Sequence, residues 1–198
     1  MSAVSRAKDF EARLERAEEQ LRLFQSISRF MVREMSLQDI LTGINRLIVD
    51  FMKCDSCLIY LIDGDQLVLC SSNKSPGALG NIRLKMSEGL TGWVARERRL
   101  LAISSEAYRD KRFKRFSALP EDNFDAFLSA PIVARGRVVG VINVQHKAPH
   151  QHTGEEMELL TTVGEQIGTL LLLARVEPSA VEAANHVELL FPSPAANR

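Results

Sequence analysis

Cysteine is scarce in this chain, three residues in 198, and the odd number excludes a scaffold built on disulfides. Net charge is absent too. The 25 basic and 25 acidic residues cancel, so no whole-molecule field draws in nucleic acid or an anionic membrane, and neither is expected as a partner. No apolar run approaches the roughly 20 residues that cross a bilayer. The opening segment, MSAVSRAKDFEARLERAEEQ, is charged and lacks the apolar centre of a signal peptide. A cytoplasmic protein is the expectation. Long glycine or proline tracts are also missing, which leaves one globular domain with appendages.

What is present is periodic. Ala7, Phe10, Leu14, Ala17, Leu21, Phe24, Ser28 and Met31 are spaced alternately by three and four positions, a heptad seam that predicts a dimerising helix within residues 1–35. Ser36, with Asp39 after it, predicts the cap of a second helix whose Ile40, Ile44, Leu47, Ile48 and Phe51 share one face. SCLIYLID (56–63) and the segment 66–70 read as strands joined at Gly64-Asp65. Ile82, Leu84 and Met86 alternate with Arg83 and Lys85 as a strand with one wet face, residues 90–98 as a short helix, and 100–103 as an apolar strand. Residues 106–120 are basic, aromatic and partly helical in pattern.

The clearest run comes later. Ala126, Leu128, Ala130 and Ile132 alternate with Phe127, Ser129, Pro131 and Val133; Gly136 supplies a reversal; Val138, Val139, Val141, Ile142 and Val144 form a β-branched return strand, with Gly140 where a side chain would be in the way. Thr153 with Glu156 is a capping-box start, and Met157, Leu160, Ile167, Leu171 and Ala174 recur at helical spacing after it. Residues 177–198 form an extension whose last part, FPSPAANR, has too little apolar content to order itself.

Five segments carry a family likeness in the family's order: DSCLIYLID (55–63), SEGLTGWVARERRLLAI (87–103), YRDKRFKRF (108–116), FLSAPIVARGRVVGVINVQHK (127–147) and TGEEMELLTTVGEQI (153–167). Over 36–176 the chain resembles a GAF domain, and within that family the sensor domains of nitrogen-type phosphotransferase enzyme I, whose phosphohistidine and phosphoenolpyruvate domains would not fit in this length. The resemblance implies an α+β fold: an antiparallel sheet of about six strands, terminal helices packed on one side, and loops and short helices over a pocket on the other. It also implies a homodimer formed through the terminal helices. Members of the family bind cyclic nucleotides, bilins, haem or small metabolites, and fold alone does not choose among them.

The residues narrow the choice. Cyclic-nucleotide-binding members carry an adjacent Asn-Lys pair, then Phe and an acidic pair; here Asn143 and Lys147 are separated, His152 stands near the Phe position, and Glu156-Met157 replaces the acidic pair. The reductases of free methionine sulfoxide need cysteines around the pocket, and bilin attachment needs one; residues 71–88 and 104–125 have none. Cys54 and Cys57 form a CxxC at a strand start, where packing is the plainer reading, although a redox pair is the alternative. His146, His150 and His152 have a spacing that can bind a transition metal, but with Lys147 and Pro149 beside them they read as a solvated turn. No metal site is assigned.

Residues 108–116 combine five cations with three aromatics, suited to stacking on and pairing with an anionic metabolite. Tyr108, Arg109, Arg112 and Phe113 are therefore candidate ligand-binding residues. Tyr60 and Trp93 join them as aromatics that either line the pocket or fill the core. No catalytic residue and no cofactor is named. The expected function is a non-enzymatic sensory or regulatory module that binds a small molecule, anionic ones included, and signals to a partner protein through a helical dimer. A purely structural dimerisation module is the alternative, with a methionine sulfoxide reductase behind it.

Overall fold

The computed structural model describes residues 3–30, 32, 33, 35–115 and 123–176. Met31, Phe116 and the 177–198 extension lie outside them. A six-stranded antiparallel sheet forms the centre: β1 (Ser56–Asp63), β2 (Gln66–Ser72), β3 (Arg83–Lys85), β4 (Leu101–Ile103), β5 (Ala126–Ala134) and β6 (Arg137–His146), in the order β3-β2-β1-β6-β5-β4. This is the α+β layout that the sequence implied. α1 (Ala3–Phe30), α2 (Leu37–Met52) and α4 (Gly154–Val176) belong to one layer, and α3 (Gly89–Glu97) lies on the other face.

Strand alternation sorts the side chains between two cores. Cys57, Ile59, Leu128, Ala130, Ile132, Ile142 and Val144 point to the helical layer, where they meet Ile40, Ile44 and Ile48 of α2 and Leu160, Val163 and Ile167 of α4. Leu58, Tyr60, Leu67, Leu69, Leu84 and Val141 point the other way, towards Val94 and Ala95 of α3. β5 and β6 are joined by a two-residue turn, Arg135-Gly136, with φ of 47° and 70°, the left-handed pair that suits the twist of a tight hairpin. A Cβ on Gly164 of α4 would lie 2.8 Å from the Pro131 carbonyl oxygen. Helix and strand backbones meet there without a side chain between them.

The caps follow the sequence. Ser36 Oγ accepts from the Asp39 N–H at 3.1 Å. At α4, the Glu156 N–H donates to Thr153 Oγ1 at 3.2 Å while the Thr153 N–H donates to Glu156 Oε2 at 2.8 Å, a reciprocal box that satisfies two end donors.

α1 departs from a single-seam reading. Phe10, Leu14 and Leu21 of the heptad are 68%, 51% and 57% exposed, whereas Leu23 and Ile27, outside it, are buried in the helical-layer core. The helix carries two apolar stripes. The four-residue step from Leu23 to Ile27 docks its C-terminal half on the domain, where Phe24 of the heptad packs as well, and Phe10, Leu14 and Leu21 are left facing outward.

Candidate functional site

The outer face of the sheet holds a small, partly open cavity of about 30 Å³, room for about two water molecules. Leu58 and Tyr60 of β1, Leu84 of β3 and Phe127 of β5 form its apolar wall; Gly89, Leu90 and Thr91 at the start of α3 close one end, and Phe113 and Lys114 cover it. Its floor is polar because β6, otherwise apolar here, turns Asn143 and Gln145 to this side. Asn143 is 2% exposed and bridges three elements: its Oδ1 accepts from Ser129 Oγ on β5 at 2.7 Å, and its Nδ2 donates to Thr91 Oγ1 on α3 at 2.8 Å. Gln145 is equally buried, yet its Oε1 has no hydrogen-bond partner among the described residues. An orphaned buried acceptor costs free energy unless something donates to it.

The covering segment is held by ion pairs. Lys114 Nζ lies 2.7 Å from Glu88 Oε2, and this hydrogen bond, with a further one from the Lys85 N–H, lowers the Glu88 pKa. Arg112 grips Asp110 with Nε at 2.9 Å and Nη2 at 2.7 Å and lies 4.8 Å over the Trp93 ring. The pairing holds the Asp110 carboxyl below its ordinary pKa. Arg109 pairs with Glu106 at 2.7 Å and lies over Tyr108 at 5.7 Å.

Of the six sequence candidates, Tyr60 and Phe113 thus line the cavity. Trp93 packs on the second core beneath Arg112, and Tyr108, Arg109 and Arg112 belong to the covering segment rather than to the cavity wall. The candidates did not include Thr91, Lys114, Asn143 or Gln145. Two polar residues two positions apart in a β-branched strand were the available signal for the last pair.

A GAF domain family model matches residues 36–171, spanning α2 to α4 and the whole cavity. The chain belongs to the GAF domain family. Over 141 residues this GAF domain is 29% identical to a phosphoenolpyruvate-dependent phosphotransferase system protein of Salmonella typhimurium, a match covering 68% of this chain and 19% of that protein. It is also similar to the solved GAF domain of an Acinetobacter phosphoenolpyruvate-protein phosphotransferase, at 27% identity and a TM-score of 0.72, covering 79% of this chain and 95% of that one. The free methionine-R-sulfoxide reductase of Neisseria meningitidis shares the fold at 15% identity and a TM-score of 0.66, over 81% of this chain and 92% of its own. As a family, GAF domains are typically small-molecule-binding regulatory modules, and the likeness to phosphotransferase GAF domains read from the sequence is borne out. No helix among the described residues is long and apolar enough to cross a membrane.

The cysteines of this GAF domain lie away from the cavity. Cys54 and Cys57 are buried in the helical-layer core and Cys70 packs against it. Burial pushes the Cys54 thiol up to about 12, raises Cys57 well above its ordinary value and raises Cys70 as well. A thiol held protonated is a poor nucleophile and a poor metal ligand.

The histidine loop is not the solvated turn that its polar neighbours suggested. His146 and His152 are 7% and 5% exposed. The loop folds back because the His150 N–H donates to the Ser104 carbonyl at 2.9 Å, beyond the end of β4. His146 stacks on His150 with ring centroids 4.1 Å apart, and His152 meets His150 edge-on at 4.9 Å. Burial, then the neighbouring His150, lowers the His146 pKa and drives that of His152 down to about 4. Burial would raise the Glu156 pKa, but the Thr153 N–H and His150 outweigh it and the net shift is downward.

Proposed function

We propose that this GAF domain is a non-enzymatic regulatory module, a cytoplasmic homodimer whose ligand occupies the cavity under Phe113 and Lys114 and whose terminal helices pass occupancy to a partner protein. The observation that carries this reading is the cavity floor, above all Gln145 Oε1, a buried acceptor that no described residue serves. Floor groups that are amides and hydroxyls suit a small polar ligand with hydrogen-bond donors. An anionic ligand would take Lys114 by displacing Glu88. Because the cavity holds only about two waters, a ligand larger than that enters as the Lys114–Glu88 contact opens and Phe113 withdraws. Cys54 and Cys57, buried on the opposite face of the sheet with their thiol pKa values raised, weigh against reductase chemistry.

The dimer reading is supported by the exposed stripe of Phe10, Leu14 and Leu21, an apolar face that a solvated helix would not keep. Size-exclusion chromatography with light scattering tests it, and a monomer at micromolar concentration refutes it. Small cavity volume favours one second reading, a dimerisation module with no ligand. Native mass spectrometry of freshly purified protein separates the two: a retained small molecule, lost in Gln145→Leu, supports the sensor, and a bare chain that takes up nothing from a metabolite extract supports the structural module.

A further inference from the structure

His146, His150 and His152 come from the end of β6 and from the loop that leads into α4, and one ring nitrogen of each lies within 4.8 Å of the other two. By strand alternation His146 shares the face of Ile142 and Val144, so the cluster is on the helical side of the sheet, opposite the cavity. Three imidazoles packed together leave polar atoms unserved. His146 Nε2 and both nitrogens of His152 are buried with no hydrogen-bond partner among the described residues. Orphaned buried groups of this kind are uncommon and point to something that satisfies them.

We propose that these three histidines bind one divalent transition-metal ion of the zinc class, each through a single ring nitrogen. Neutral imidazole is the ligand form, and His146 and His152, 7% and 5% exposed, offer ring nitrogens that no described residue serves. An outer contact of the kind that orients metal-bound imidazoles is present as well. His150 Nε2 lies 3.0 Å from Glu156 Oε1. One carboxylate stands at the cluster to offset an incoming dication, that of Glu156. Zinc–nitrogen bonds of about 2.1 Å set neighbouring tetrahedral ligands about 3.4 Å apart, so the rings draw in by about 1 to 1.5 Å from their present limit of 4.8 Å. Two of the three stand on a loop, where such a shift needs ring rotation and little backbone movement. The fourth position would go to water or to a Glu156 oxygen.

Bound metal would tie the first turn of α4 to the ends of β6 and β4. That turn also carries Glu155, which pairs with Arg16 of α1 at 3.1 Å, so the ion would sit beside a contact between the two terminal helices.

The test uses the tag-free full chain, stripped with a chelator and titrated with Zn²⁺ against a competing chelator dye, with Co²⁺ as the spectroscopic probe and Mg²⁺ as the control. The expected result is one Zn²⁺ per chain, a Co²⁺ visible spectrum of four-coordinate type without thiolate charge transfer, and no uptake of Mg²⁺. His150→Ala, at a site 33% exposed and outside the hydrophobic core, is expected to weaken Zn²⁺ binding by at least about tenfold. His186→Ala, outside the described residues, is expected to leave it unchanged. Should His152→Ala fail to fold, His150→Ala and the nitrogen-type scattering of the Zn²⁺ absorption edge decide. Absence of Zn²⁺ uptake, uptake indifferent to His150→Ala, or a cobalt–thiolate band overturns the proposal.

Discussion

Replacing Asn143 by leucine tests the polar floor of the cavity directly. Leucine keeps the branched outline of asparagine but is bulkier, so no space opens and some crowding is added; what is lost is the acceptor at 2.7 Å from Ser129 Oγ and the donor at 2.8 Å from Thr91 Oγ1. Both hydroxyls belong to buried residues, and each loses a partner that bulk water does not replace. A buried polar group left unpaired costs about 1–3 kcal/mol, so Asn143→Leu is expected to lose about 2–4 kcal/mol, allowing for rotation of the hydroxyls towards local carbonyls. In a chain of this size each kcal/mol lowers the melting temperature by about 2–4 °C, which gives a fall of roughly 5–15 °C. Urea unfolding with an unchanged slope would assign the loss to stability rather than to the denatured state. The decisive control is rescue. Removing both stranded hydroxyls as well, in Asn143→Leu with Ser129→Ala and Thr91→Val, is expected to recover most of the loss, because an apolar set of the same shape leaves nothing unpaired. A single variant within about 0.5 kcal/mol of wild type, or a triple variant that is worse than the single, would refute the claim that this bridge holds β5, β6 and α3 together.

Two further predictions follow from the burial pattern. Ile27 is 0% exposed and Leu14 is 51% exposed, so Ile27→Ala is expected to cost about 2–4 kcal/mol in urea unfolding whatever the protein concentration, whereas Leu14→Ala is expected mainly to flatten the dependence of melting temperature on concentration; equal behaviour of the two would refute the two-stripe reading of α1. The Cys54 thiol, raised to about 12 by burial, stays protonated in the fold while the unfolded chain ionises near pH 8.5. The unfolded state therefore binds fewer protons across that window, and stability falls as pH rises through it. Cys54→Ala is expected to reduce the alkaline slope, and alkylation of the native thiols by iodoacetamide to stay slow at pH 9; rapid native labelling would contradict it.

Much of the frame was legible in the sequence because its signals are local. The Thr153–Glu156 box, the Ser36 cap, the Arg135-Gly136 turn and the alternation along β5 each depend on residues a few positions apart, and each stands as read. Gly140 is a further case: a Cβ there would collide with the Tyr60 carbonyl of β1. What escaped depends on contacts between distant segments. Leu23 and Ile27 lie between heptad positions, and only the docking of α1 on the domain separates their stripe from the seam. Trp93 could not be assigned to cavity or core without knowing where Arg112 lies, because their stacking joins α3 to the covering segment. The histidine loop was misread for the same reason, since Lys147 and Pro149 describe its local chemistry but the Ser104 carbonyl that folds it inward is more than forty positions away.

Strand β6 shows how both kinds of information combine. Its run of small and β-branched residues is plain in the sequence and suits the central position that the strand takes. The alternation sends Asn143 and Gln145 to one face and Val144 and His146 to the other. The polar floor of the cavity and the first member of the histidine cluster therefore sit on consecutive positions of one rigid strand, with the sheet between them. A one-residue slip of β6 against β1 would exchange the faces and bury the floor amides among the helices. Registry is pinned instead by pairings such as Ile59 with Ile142 and Cys57 with Val144, whose side chains are all 0% exposed, so the hydrophobic core that fixes the fold also decides which face of the sheet receives each polar group.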